Sequence, residues 1–144
     1  MSTFNPDTFM NTEITDASAT SFPTVPESEY IAFVKEIKPR STDSGKAILD
    51  LTWSIDDAAV EAATGMKNPT VRQSIFLDIT ESGGLDNGKG KNVALGRVRE
   101  ALNQNQAGKP WAPGMLIGGV AKITVKHRMV DDNVYTDVKG VGKV

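Results

Sequence analysis

The chain contains no cysteine and a single histidine, His127. The first absence excludes disulfides and thiolate-bound metal, and it fits a reducing compartment. The second leaves little from which to build a histidine metal site or a serine–histidine–aspartate arrangement. Long hydrophobic runs are missing too, with nothing near the roughly 20 apolar residues that a membrane helix needs. The N-terminus has neither a basic nor a hydrophobic region, so no secretion signal or membrane association is expected, and the location is expected to be cytoplasmic. Bases are absent from the first 34 residues, where five acids occur: Asp7, Glu13, Asp16, Glu27 and Glu29.

What is present suits a soluble protein. Hydrophobic residues make up 39% of the 144 and charged residues 24%, enough for one domain with a sizeable core. The formal net charge is −2, but it is unevenly spread, leaving 16 bases against 13 acids from Lys35 onward. Residues 1–26 are rich in Ser, Thr, Asn, Asp and Pro with no sustained period. They read as a disordered or loosely packed acidic arm, with the folded domain over 27–144.

The stretch 71–79, VRQSIFLDI, alternates. Val71, Gln73, Ile75, Leu77 and Ile79 share one face and Arg72, Ser74, Phe76 and Asp78 the other, so a strand with its odd residues inward is expected. Upstream, 30–38 reads as a first strand with Ile31, Phe33 and Ile37 on one face, closed by Pro39. Turn formers at 41–45 follow. In 46–55 the residues Ala47, Leu49, Leu51, Trp53 and Ile55 form an apolar face, which places Trp53 in the core. Asp56-Asp57 opens a short helical stretch that stops near Gly65, and 81–90 is a glycine-rich loop. Period then changes: Ala94, Leu95, Val98, Ala101 and Leu102 recur at helical spacing. After a rigid connection at 110–114, where Trp111 is expected to plug one end of a barrel, 116–128 reads as a strand. Gly118-Gly119 invites a bulge or sharp coil in it. A turn at 131–133 and a last strand over 134–138 complete a hairpin.

Strand, strand, strand, helix, strand, strand is the connectivity of an OB-fold: an all-β, five-stranded Greek-key barrel with a helix between its third and fourth strands. In such a fold the second and third strands and the loops joining strands one–two and four–five form the ligand groove. The polar faces here carry Lys46, Arg72, Lys122, Lys126, Arg128 and Lys139, with Arg40 near the first turn and Phe76 and Tyr135 interleaved. Cations pair with phosphates and release counterions, while aromatic rings stack bases regardless of sequence. Phe76, standing on the wet face four residues from Arg72, is the clearest single pointer. A solvated sheet face carrying Lys against edge pairing is the plainer reading of the same charges.

Catalytic patterns are weak. Asp56-Asp57 and Asp131-Asp132 pair carboxylates that a divalent cation would accept, but both lie at strand ends where acids cap locally. Gly83, Gly84, Gly88 and Gly90 match a phosphate loop only in glycine content. His127 has no nucleophile at readable spacing. No enzymatic activity and no cofactor is expected.

Three segments together resemble one family: PESEYIAFVKEIKPRSTDSGKAILDLTWSI, the helix ALGRVREAL, and the hairpin VAKITVKHR with NVYTDVKGV. From about residue 26 to 141 the chain resembles small single-stranded DNA-binding proteins of bacteriophage replication and recombination clusters. The resemblance implies an OB-fold that coats ssDNA with little sequence preference, as a homodimer or cooperative array. It also implies replication or recombination partners and a place in the host cytoplasm. One departure is that many such proteins end in an acidic tail, whereas here the C-terminus carries Lys139 and Lys143 and the acidic segment is N-terminal. A structural or assembly protein using the barrel as a subunit contact, and an RNA-binding OB module, are the alternatives.

Overall fold

Clean alternation of apolar and polar residues sets the frame of the sheet. The computed structural model describes residues 3–19 and 23–144. In chain order the elements are α1 (Pro6–Met10), β1 (Ser28–Ser41), β2 (Ala47–Ile55), α2 (Ala58–Thr64), β3 (Thr70–Leu77) and α3 (Val93–Ala101). A 3-10 turn (Pro113–Leu116), β4 (Val120–Val130) and β5 (Asn133–Gly142) follow. The five strands form one antiparallel sheet in the order β3-β2-β1-β4-β5. The outer two strands, β3 and β5, approach each other. The expected barrel closure is not made: no ladder joins them, and a side-chain-lined groove occupies the space between. Lys139 is an extra residue in β5 opposite the Thr124–Val125 step of β4, and such a bulge bends its strand locally.

Inward residues of β2 and β3 fall as the alternation predicts. Leu49, Leu51, Trp53, Ile55, Val71 and Ile75 are buried, and Trp53 is fully sealed. Its indole N–H would be costly to bury unpaired; it donates to Gln73 Oε1 at 2.9 Å. The helix α3 presents Leu95, Val98 and Ala101 to the same core, touching β3 and β5. Leu116, fully buried, completes it. Trp111 packs against the core only in part. Its N–H donates to Gln104 Oε1 at 2.9 Å, and the Arg99 guanidinium lies 4.2 Å from its ring centroid.

The first strand departs from its expected pattern. Tyr30, Ala32 and Val34 are the buried set, and Ile31 and Phe33 point outward, 56% and 37% exposed. A register shift between Val34 and Glu36 then reverses parity, which returns Ile37 to the core side opposite Leu51. The three residues expected on one face therefore lie on two. On β2, Ile48 is buried yet lies outside the core cluster, on the outer face opposite Phe76. Ile79 lies past the end of β3, exposed and bridged to Leu85 in the loop.

Connections follow residue chemistry. Asp57 Oδ1 accepts from the N–H groups of Ala59 and Val60 and starts α2, while Gly65 ends it in the left-handed conformation. Asp131 and Asp132, with φ of 50° and 66°, make a two-residue hairpin turn; positive φ at both centres matches the right-handed twist of the flanking strands. At the chain's other end, described residues 3–19 are all exposed. Val25 is already core. Its carbonyl accepts from His127 Nε2 at 2.7 Å, Glu27 accepts from the His127 backbone N–H, and the Tyr30 hydroxyl donates to the Pro26 carbonyl.

The Gly118-Gly119 pair is a sharp coil: Gly118 has φ +85°, and both residues exchange backbone hydrogen bonds with Val34. A Cβ on Gly119 would stand 2.7 Å from Leu102 Cδ1 and 3.0 Å from the Leu116 carbonyl oxygen. Gly119→Ala is therefore expected to cost about 1–3 kcal/mol, the usual scale of overpacking. A lower urea midpoint with an unchanged slope is the expected signature, and an unchanged midpoint would show that the coil yields freely.

Candidate nucleic-acid interface

Because successive side chains on a strand alternate, turning Val71, Gln73, Ile75 and Leu77 inward leaves Arg72, Ser74 and Phe76 together on the outside of β3. Across the gap, β5 presents Tyr135, Asp137 and Lys139. Between them lies a groove of about 500 Å³ lined by Arg72, Ser74, Arg128, Tyr135, Asp137 and Lys139, among others. Phe76 stands farther along the same face of β3, about 13 Å from Arg72 at strand rise. It is 62% exposed, with Lys46 Nζ 5.8 Å from its ring centroid. Tyr135 is 46% exposed, and the Arg128 guanidinium lies 5.1 Å from its ring. Each exposed ring thus carries a cation beside it, an attraction strengthened when water is excluded.

Beneath Phe76 and Arg72 the outer face is braced by a buried carboxylate. Asp50 Oδ2 accepts from Arg40 Nε at 2.6 Å, and Asp50 Oδ1 accepts from the Ser74 hydroxyl at 2.6 Å. Burial works against the charge on Asp50. The hydrogen bonds from Arg40 and Ser74 and the positive fields of Arg40 and Arg72 outweigh it, holding the carboxyl below its ordinary value.

The sequence-selected cations are not equivalent. Arg40 belongs to β1 rather than to the loop and is tied to Asp50, and Arg128 is tied to Asp137 at 3.0 Å. A phosphate reaching either would compete with a carboxylate. Arg72, Lys126 and Lys139 make no ion pair among the described residues. Lys126 shares the Arg128 face of the hairpin, opposite Asp137. Lys122 stands apart, six residues or about 20 Å along β4 from Arg128, facing Glu29 at 4.0 Å and outside the groove lining.

Other candidates have local roles. Asp57 caps a helix and Asp131-Asp132 form a turn, and among the described residues no three His, Asp or Glu side chains gather as a metal site. The glycine-rich loop is knitted by Asn92, whose side chain bonds the Asp78 N–H and carbonyl and the Asp86 carbonyl. Ser74, which lines the groove, and Asp50 and Ile48 on the outer face beside it are the residues that alternation alone did not single out. Their signal is cross-strand register, in which Asp50 stands opposite Ser74 and Ile48 opposite Phe76. Comparison with protein-family models and with curated proteins found no match to this chain.

A carboxyl with a lowered folded-state pKa binds fewer protons folded than unfolded. It therefore stabilises above its unfolded value, about 3.9, and that contribution disappears as pH falls through the folded value. Wild type should exceed Asp50→Asn in urea midpoint at pH 7, and the gap should shrink steadily below about pH 4. A gap independent of pH would mean that the Asp50 charge does not carry the effect.

Proposed function

We propose that the protein binds single-stranded DNA without catalysis and with little sequence preference, in the setting of phage DNA replication or recombination. The observation that carries this reading is the shared groove of Arg72, Arg128, Tyr135 and Lys139, with Phe76 farther along β3 and Lys46, at the start of β2, beside its ring. Unpaired bases offer faces for the two rings, and the phosphates between them meet the cations. Phe76 and Tyr135 are the stacking residues. Arg72, Lys46, Lys126, Arg128 and Lys139 are backbone contacts, with Arg40, tied to Asp50 outside the groove lining, and Lys122, displaced along β4, secondary.

An OB-fold is the architecture that fits. In its favour are the antiparallel order β3-β2-β1-β4-β5, the approach of β3 to β5, and a helix that follows β3 and packs against both. The open side lies between the two strands that an OB-fold brings together, and the ligand surface of that fold includes its second and third strands. A second reading, an assembly subunit, draws on one observation: Ile31, Phe33 and Val120 lie exposed together on the outer face of β1 and β4. It predicts a stable oligomer with no salt-dependent affinity for DNA.

A fluorescence titration with labelled oligo-dT at rising salt tests the proposal. Affinity should fall with salt, and Phe76→Ala should weaken it about tenfold, on the scale of one stacked base. Equal affinity for duplex DNA, or none for oligo-dT, would overturn it. Competition by oligo-rU separates a DNA from an RNA preference.

A further inference from the structure

We infer that a bound strand does not stop at the β3–β5 groove but runs along β5 to a second cationic cleft on α3. This rests on the single-strand reading above and extends its site. The second cleft, about 450 Å³, lies beside α3 and is lined by Lys91, Arg97 and Arg99, with Asn87 and Asn105 adding amide side chains. Glu100 is the carboxylate in that lining, and Lys143 holds it at 3.5 Å. Arg99 is committed to the fold, since it donates to the Gln104 carbonyl and stacks on Trp111. Lys91 and Arg97 are exposed and make no ion pair among the described residues.

The strand β5 runs between the two clefts. Arg97 and Glu100 also line a shallower depression of about 350 Å³ with Val141 and Lys143, where α3 meets the end of β5. From that depression β5 leads back through Lys139 to Tyr135 in the main groove. Tyr135 to Lys143 spans about 26 Å at strand rise. Along it, cations recur at Arg128 or Arg72, Lys139, Lys143, Arg97 and Lys91. The whole chain is acidic, with a pI near 5.4, so this row is not the overflow of a generally basic surface. A line of separate positive ends bending from a strand edge onto a helix suits a flexible chain of phosphates. Duplex DNA, with a persistence length of about 150 bp, resists such a turn.

The test is a length series of oligo-dT, about 4 to 16 nucleotides, the range of site sizes for one such domain. Wild type is titrated beside the double variant Lys91→Ala/Arg97→Ala. Wild-type affinity should keep rising once the oligonucleotide outgrows the groove. The variant should bind the shortest oligomers like wild type and the longest about tenfold more weakly, with a salt slope smaller by about 1.4 for two lost phosphate contacts. The charge-keeping Lys91→Arg/Arg97→Lys variant should restore both. An affinity plateau at groove length, or variant losses equal at every length, would overturn the extension while leaving short-oligomer binding as support for the groove. Absence of wild-type binding at any length would overturn both, and preference of the α3 cleft for an acidic peptide over dT would overturn the extension alone.

Discussion

A sheet with one apolar face must cover that face, and here it does so by curling around its own side chains rather than by stacking on a second sheet. Trp53 lies at the centre of that curl, and its N–H is met by Gln73 from the neighbouring strand. Because α3 and Leu116 fill the remaining interior, the curl halts with β3 and β5 near each other yet unladdered. Unpaired strand edges invite association, and charge is a common deterrent. The facing edges carry Arg72 on one side and Asp137 and Lys139 on the other. The charges that protect the edges are the same side chains that the proposed strand would meet.

Acids pair with cations both in the groove and beside it. Asp50 and Asp137 sit where they hold Arg40 and Arg128 in place. Fixing a guanidinium sacrifices part of its attraction for phosphate and reduces the side-chain entropy that binding must otherwise remove. Arg72 and Lys139 keep their full charge but are less constrained. The groove lining therefore combines one held cation, Arg128, with two free ones, while Arg40 is held outside it.

Legibility in the sequence tracked the clarity of alternation. In 46–55 and 71–77 polar residues separate the inward apolar ones except where Ile48 and Phe76 intervene, and the buried faces followed directly. In β1 the run Tyr30-Ile31-Ala32-Phe33-Val34 is apolar at every position, so no parity is written in it, and the bulge after Val34 reverses whatever parity is chosen. The helix α3 was readable because its 3.6-residue period is uninterrupted. The Arg40–Asp50–Ser74 brace was not, since it depends on which residue of one strand faces which of the next. Nor was the role of Asn92, whose left-handed backbone and four hydrogen bonds to the loop before it express tertiary placement. Of the nine cations and rings selected, Arg72, Arg128, Tyr135 and Lys139 line one groove, and Phe76, Lys46, Lys126, Arg40 and Lys122 lie outside its lining. Lys122 shares their strand pattern but not their place.

The two tryptophans occupy unlike environments. Trp53 is shut away from solvent in the middle of the sheet, and Trp111 is half open beside Arg99 at the C-terminal end of α3. Neither lines the β3–β5 groove. Trp53 is nonetheless held by Gln73, which does line it. A change in intrinsic indole emission without unfolding consequently reports either on the groove wall through Trp53 or on the helical end of the molecule through Trp111.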